Sequence, residues 1–144
     1  MPPLSPHIFS DIFNTHKIEQ IMDKRILVIS NEKSLTQVLY NDLGKRESIE
    51  LINEPHGSHA YKRIKEIKPD LMIVDLETPG LAKSWVAIQL EGVDIKKQVP
   101  TVALSSLLSH EEREILTDLT GFSIHSKDAP ISQLNECIEA SLVQ

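Results

Sequence analysis

The sequence predicts an α/β fold: a three-layer, doubly wound sheet of five parallel strands, with helices on both faces. Three observations predict it. Short runs of Ile, Leu, Val and Met recur five times along the chain. Strands that are apolar at nearly every position are those buried on both faces. Between them lie stretches with apolar residues at helical spacing, and this alternation is the pattern of parallel strands joined by right-handed helical crossovers. A chain of 144 residues suits one domain with one core. Aromatic residues make up only 4%, so that core has to come from Leu, Ile, Val and Ala.

Taken in order, residues 1–22 stand apart. Pro2, Pro3 and Pro6 open the segment, and Ile8, Phe9, Ile12, Phe13, Ile18 and Ile21 follow at roughly helical spacing after a cap at Ser5 or Ser10. Two readings stand side by side: a short amphipathic helix that docks on the domain or on a partner, or a disordered extension upstream of a working start at Met22. Residues 23–144 form the domain. Arg25–Ile29 is the first buried strand. Ser34 is expected to cap a helix with Leu35, Val38, Leu39 and Leu43 on its apolar face, stopped by Gly44. Ile49–Ile52 is the second strand. Ser58–Ile67 is a helix with Ala60, Ile64 and Ile67 inward, ended by Lys68-Pro69-Asp70.

Leu71–Val74 is the most apolar strand, followed by the loop signal Thr78-Pro79-Gly80 and a helix carrying Trp85, Val86, Ile88 and Leu90 up to Gly92. Val99–Leu104 is the fourth strand. Ser109-His110-Glu111-Glu112 has the capping-box form, and Ile115, Leu116 and Leu119 continue that helix. Phe122–His125 is a weak fifth strand, and Ile131–Leu142 is a last helix offering Leu134, Ile138, Ala140 and Leu142 for packing.

Composition excludes several classes. A net charge of -6 with scattered basic residues argues against a nucleic-acid surface, which needs clustered Lys and Arg. The densest basic group, Lys62, Arg63, Lys65 and Lys68, is interrupted by Glu66 and reads as a solvated helix face. No apolar run spans a membrane, and the N-terminus lacks the signal-peptide pattern. Cys137 is the single cysteine, so no intrachain disulfide forms, and a reducing cytoplasm is the expected compartment. Its neighbours Leu134, Ile138 and Leu142 make it a packing residue. His56 and His59 lie three apart but have no third ligand. Neither a nucleotide-binding glycine loop nor a hydrolase nucleophile motif occurs. The strand-end loops also lack the Ser/Thr- and Gly-rich character of a flavin site.

In doubly wound sheets the ligand site lies beyond the carboxyl ends of the strands. The residues there are Ser30, Asn31 and Glu32 after the first strand, Asp75 after the third, Ser105 and Ser106 after the fourth, and Lys127 after the fifth. A carboxylate at a buried strand end is costly to desolvate unless a cation or hydrogen bonds compensate it. Lys127 supplies the cation in this reading and Ser105 the hydrogen bond. The chemistry it suits is phosphoryl transfer to Asp75, with Lys127 and a divalent metal neutralising the phosphoryl oxygens.

Two segments carry a family resemblance. Lys68-Pro69-Asp70-Leu71-Met72-Ile73-Val74-Asp75-Leu76-Glu77-Thr78-Pro79-Gly80 and Lys127-Asp128-Ala129-Pro130 resemble the receiver domains of two-component response regulators. The second motif, with Ile49-Glu50-Leu51-Ile52-Asn53-Glu54, is similar to the NarL/FixJ-type subgroup. The resemblance covers residues 25–142. It implies a flavodoxin/CheY-like strand order of 2-1-3-4-5 and makes Asp75 the phosphoacceptor, Ser105 the switch hydroxyl and Lys127 the phosphate-binding lysine. It also implies Mg²⁺ held by Asn31, Asp75 and the backbone carbonyl of Glu77, whose side chain lies near the path of an attacking water.

The sequence departs from the family at the metal. Two acidic residues normally follow the first strand, and here Ser30 and Asn31 stand in their place. Glu32 comes one residue late, and in an extended segment it would face another side. Losing one unit charge at about 4 Å removes up to about 4 kcal/mol of attraction at an effective dielectric of about 20, so the Mg²⁺ site is weakened. The family's switch aromatic is also missing, with Ile124 or His125 at its place. Two functions follow. One is an atypical receiver, a signalling protein and not an enzyme. It would take a phosphoryl group on Asp75 from a histidine kinase or phosphotransfer protein. It would then act on a downstream protein, or on itself, through the face of the fourth helix, fifth strand and fifth helix, since no output domain follows Gln144. The other is a pseudo-receiver, a phosphorylation-independent interaction module.

Overall fold

A computed structural model describes residues 23–92 and 99–142. The amphipathic pattern expected in residues 1–22 lies outside the described residues. Five parallel strands form one sheet in the order β2-β1-β3-β4-β5, as the resemblance implied. The strands are β1 (Lys24–Ile29), β2 (Ile49–Glu54), β3 (Leu71–Asp75), β4 (Thr101–Ser105) and β5 (Ser123–Ser126). Between and after them run α1 (Lys33–Leu39), α2 (Ala60–Ile67), α3 (Leu81–Leu90), α4 (His110–Thr120) and α5 (Ile131–Leu142).

Side chains alternate across the sheet, and both faces are apolar, which explains the continuous hydrophobic runs. Ile26, Val28, Leu71, Ile73, Val102 and Leu104 pack on one face against Leu39 and Leu43 beyond β1 and Leu134, Ile138 and Leu142 of α5. Leu27, Ile29, Met72 and Val74 pack on the other face against Ala60, Tyr61, Ile64 and Ile67 of α2 and Ile88 of α3. Fully burying each such Leu or Ile contributes about 1.5–3 kcal/mol.

Local chemistry sets the element ends. The chain after α1 continues as a π-helical turn over Tyr40–Gly44. A Cβ on Gly44 would lie 2.7 Å from the Tyr40 ring, so a larger residue there would push that exposed ring aside. Lys68 ends α2 in the left-handed region, at φ 52°. The following Asp70 then accepts the Arg25 backbone N–H at 2.8 Å, tying the turn to β1. The capping box at Ser109 and Glu112 forms in both directions.

Other expectations are corrected. Ser34 does not cap α1: Glu32 holds the N-cap position, and the Ser34 hydroxyl donates to the Glu32 carboxylate at 3.2 Å. β4 starts at Thr101 rather than Val99, because Pro100 has no N–H to give the ladder. The second helix opens with a 3₁₀ turn over Gly57–His59 before α2 begins. In α3 only Ile88 of the four apolar residues expected there is buried, while Trp85 stacks edge to face on Phe122. Ala140 is exposed. Ile115 and Leu119 of α4 are 52% and 74% exposed, so this helix is formed by its cap and turns its apolar residues outward.

Candidate functional site

Strand register assembles the site. Ile29 of β1 lies beside Val74 of β3, so the next pair beyond them is Ser30 and Asp75. Asp75 lies beside Leu104 of β4, and Ser105 lies beside Ser126 of β5. Lys127 follows directly, its N–H donating to the Ser105 carbonyl at 3.1 Å. The strand order reverses between β1 and β3, which is where a doubly wound sheet opens a crevice.

Asp75 is 2% exposed. Both of its carboxylate oxygens have partners. Oδ1 lies 2.7 Å from Lys127 Nζ and accepts the Glu77 N–H at 3.0 Å. Oδ2 accepts the Ser30 hydroxyl at 2.8 Å. The distant acid and ammonium of the expected set thus share one pocket. Ser105 is buried beside them, but its hydroxyl accepts the N–H groups of Leu107 and Leu108 at 3.1 and 3.3 Å, shaping the β4–α4 loop.

Lys127 is the hub. Its ammonium also meets Glu32 Oε2 at 3.0 Å and Glu77 Oε1 at 3.2 Å. Its side chain is only 12% exposed. Burial pulls the ammonium pKa down, but the hydrogen bonds it donates to Asp75, Glu32 and Glu77 outweigh that and hold it above its ordinary value. For Glu77, burial raises the carboxyl pKa. The Ser106 N–H, the Ser105 and Ser106 hydroxyls and Lys127 outweigh that and lower it. Ser106 donates both its N–H, at 2.7 Å, and its hydroxyl, at 3.0 Å, to Glu77.

Glu32 is the residue sequence reasoning placed wrongly. It was expected to face away because extended chain alternates. The Ser30 hydroxyl instead accepts the Glu32 N–H at 3.1 Å, and this tight turn brings the long Glu32 side chain back over the pocket. Asn31, expected as a metal ligand, is exposed and takes no part in the site's hydrogen bonds among the described residues.

Receiver domains bind Mg²⁺ at an acidic site, but the residues here do not fit that ion. Ser30 points its proton at Asp75, Asn31 offers only an exposed neutral amide, and the space between three carboxylates is filled by Lys127. Mg²⁺ demands near-octahedral hard oxygens. Among the described residues, no three His, Cys, Asp or Glu side chains are grouped to hold a metal.

A five-stranded parallel sheet in the order 2-1-3-4-5, with an acid, a lysine and a hydroxyl at its carboxyl edge, is a flavodoxin/CheY-like α/β fold. No protein-family model matches the chain. It is 31% identical over 78 residues to the alkaline phosphatase synthesis transcriptional regulatory protein PhoP of Bacillus subtilis, covering 54% of this chain but only 28% of PhoP. It is 22% identical over 121 residues to the polar-differentiation response regulator DivK of Brucella anthropi, covering 84% of this chain and 98% of DivK. The BeF3-activated N-terminal receiver domain of Klebsiella pneumoniae RstA superposes with a TM-score of 0.68 at 28% identity, covering 83% of this chain and 99% of that one. These relatives are response regulators and receiver domains, and the chain shares their fold and strand order.

Proposed function

We propose that this receiver domain takes a phosphoryl group on Asp75 from a histidine kinase or phosphotransfer protein and passes the signal on by protein–protein contact. One observation carries the reading: a buried carboxylate at the β3 end held 2.7 Å from the Lys127 ammonium. In the transfer, an Asp75 oxygen attacks the donor's phosphorus, and the bond from phosphorus to the donor nitrogen breaks. The nitrogen keeps the electron pair, and an acyl phosphate remains on Asp75. Lys127 neutralises the incoming oxygens, and the Ser105 hydroxyl at the end of β4 turns from the Leu107 and Leu108 N–H groups toward them.

The acyl phosphate carries about -1.5 to -2 charge in place of the Asp75 carboxylate's -1, so more negative charge meets a lysine that Glu32 and Glu77 also hold. Lys127 and Ser105 are tied to β5 and to the loop before α4, so the face of α4, β5 and α5 is the natural output surface. The outward Leu107, Ile115 and Leu119 offer it an apolar contact for a downstream protein or a second copy. The charge balance and the pocket give no basis for nucleic-acid binding. No helix among the described residues is long and apolar enough to cross a membrane, and we assign the domain to the cytoplasm.

A second reading, the pseudo-receiver, is favoured by the Ser30 hydroxyl donating to Asp75, which ties down an oxygen the reaction needs. One experiment separates the two. Wild-type protein and Asp75→Asn are incubated with a small phosphodonor, with and without Mg²⁺, and weighed intact by mass spectrometry. One phosphoryl group on the wild type and none on the variant supports transfer. No gain on the wild type under any condition leaves the pseudo-receiver.

A further inference from the structure

We propose that the Lys127 ammonium, held by Asp75, Glu77 and Glu32, replaces the divalent cation of this pocket, so that the protein does not use Mg²⁺. The inference builds on the reading of this pocket as a receiver site, and it stands or falls separately from phosphoryl transfer.

The case rests on charge and place. Asp75, Glu77 and Glu32 bring three carboxylates to within 2.7, 3.2 and 3.0 Å of one Nζ. Three acids of like sign repel one another strongly unless a cation lies between them. In a metal-dependent pocket that cation arrives from solution. Here it is covalently part of the chain, delivered by β5 and always present. Glu32 completes the arrangement: it adds a carboxylate beside a strand end that carries a hydroxyl and an amide, and it spends that carboxylate on the lysine. The Ser30 hydroxyl does the rest of the metal's work on Asp75 by donating to its second oxygen at 2.8 Å. Each Asp75 oxygen thus has a donor with no metal present.

The structure therefore carries an exchange of parts. The β1 end carries a hydroxyl and an amide where a metal would need acids, and Glu32 from the turn after it holds the lysine in. An ammonium gives three directional hydrogen bonds, matched here by three carboxylates, whereas Mg²⁺ needs about six oxygens.

Metal titration of the full chain tests this without any phosphodonor. Thermal melting and calorimetry are run on wild type and on Lys127→Met against MgCl2 and MnCl2 up to millimolar levels. The wild-type melting temperature is expected to stay flat, with no saturable binding. Lys127→Met leaves three carboxylates without a cation, and its melting temperature is expected to rise with either metal, with binding at least tenfold tighter than wild type. Saturable Mg²⁺ binding by the wild type overturns the proposal. So does a Lys127→Met protein that folds and ignores both metals. If that variant does not fold, the wild-type titration decides alone. Because no phosphoryl group is involved, failure of transfer to Asp75 leaves this result untouched.

Discussion

The two halves of the pocket differ in kind. The β3–β5 half keeps an acid, a hydroxyl and a lysine in register, with Asp75 and Lys127 in direct contact at 2.7 Å. The β1 half carries Ser30 and Asn31, and of these only Ser30 reaches the site. In the function proposed above, the first half handles the phosphoryl group, while the second half offers a hydroxyl and an exposed amide where a metal ion needs acids. If the proposal holds, phosphate chemistry and metal chemistry sit on different strand ends of this fold, and a change at the β1 end alters the metal while the β3 acceptor stays.

The comparison can be broken by restoring the β1 half. A Ser30→Asp, Asn31→Asp double variant should gain Mg²⁺ binding from none detectable to millimolar or tighter, at the cost of stability without metal, and calorimetry would read both. If the double variant still ignores Mg²⁺, the β1 residues are not what excludes it.

Breaking the other half should act most on folding. Lys127→Met should destabilise the metal-free protein by about 3 kcal/mol, because it leaves a buried carboxylate unpaired. Chemical denaturation measures it. A loss under about 1 kcal/mol would mean that the ammonium is not compensating Asp75.

Glu32→Gln sharpens the contrast. Its side chain is 45% exposed, so the loss should be about 0.5 kcal/mol, far below that of Lys127→Met. An equal loss from the two variants would place the anchoring of Lys127 on Glu32 instead of Asp75.

The smallest expected effect is acid sensitivity. Burial, and then the charge of Arg113, hold the His125 pKa below its ordinary 6.5. Its folded pKa is depressed, so the neutral ring is favoured, and stability falls as pH drops through 6.5 toward the folded value. Glu77 is likewise depressed, and its contribution is lost further down, as pH falls through the carboxylate range. His125→Gln should flatten the first of these two losses in melting curves taken between neutral and mildly acidic pH.

The core was legible because each strand had to be apolar on both faces, and Val28, Ile73 and Leu104 advertise that in any context, while the strand order came from the family resemblance. Asp75 and Lys127 were legible because strand ends in this topology converge on one edge. Glu32 was not, since its reach depends on a hydroxyl-capped turn at Ser30 that reverses the alternation of an extended chain. The outward turn of Ile115 and Leu119 was not legible either, because spacing shows that a helix has an apolar side but not whether the sheet or a partner covers it. The tie of Gly57 to the β3–α3 loop was also hidden. Its N–H donates to Pro79 at 3.1 Å, and a Cβ there would meet Leu81 N and Pro79 O at 2.6 Å.

The most direct test is to observe the Lys127 ammonium itself by ¹⁵N-correlated NMR at neutral pH. Three carboxylates holding one buried cation predict a slowly exchanging, hydrogen-bonded signal that does not move when Mg²⁺ is added. A signal that exchanges with water as freely as the surface lysines, or one that is displaced as Mg²⁺ enters, would contradict the account.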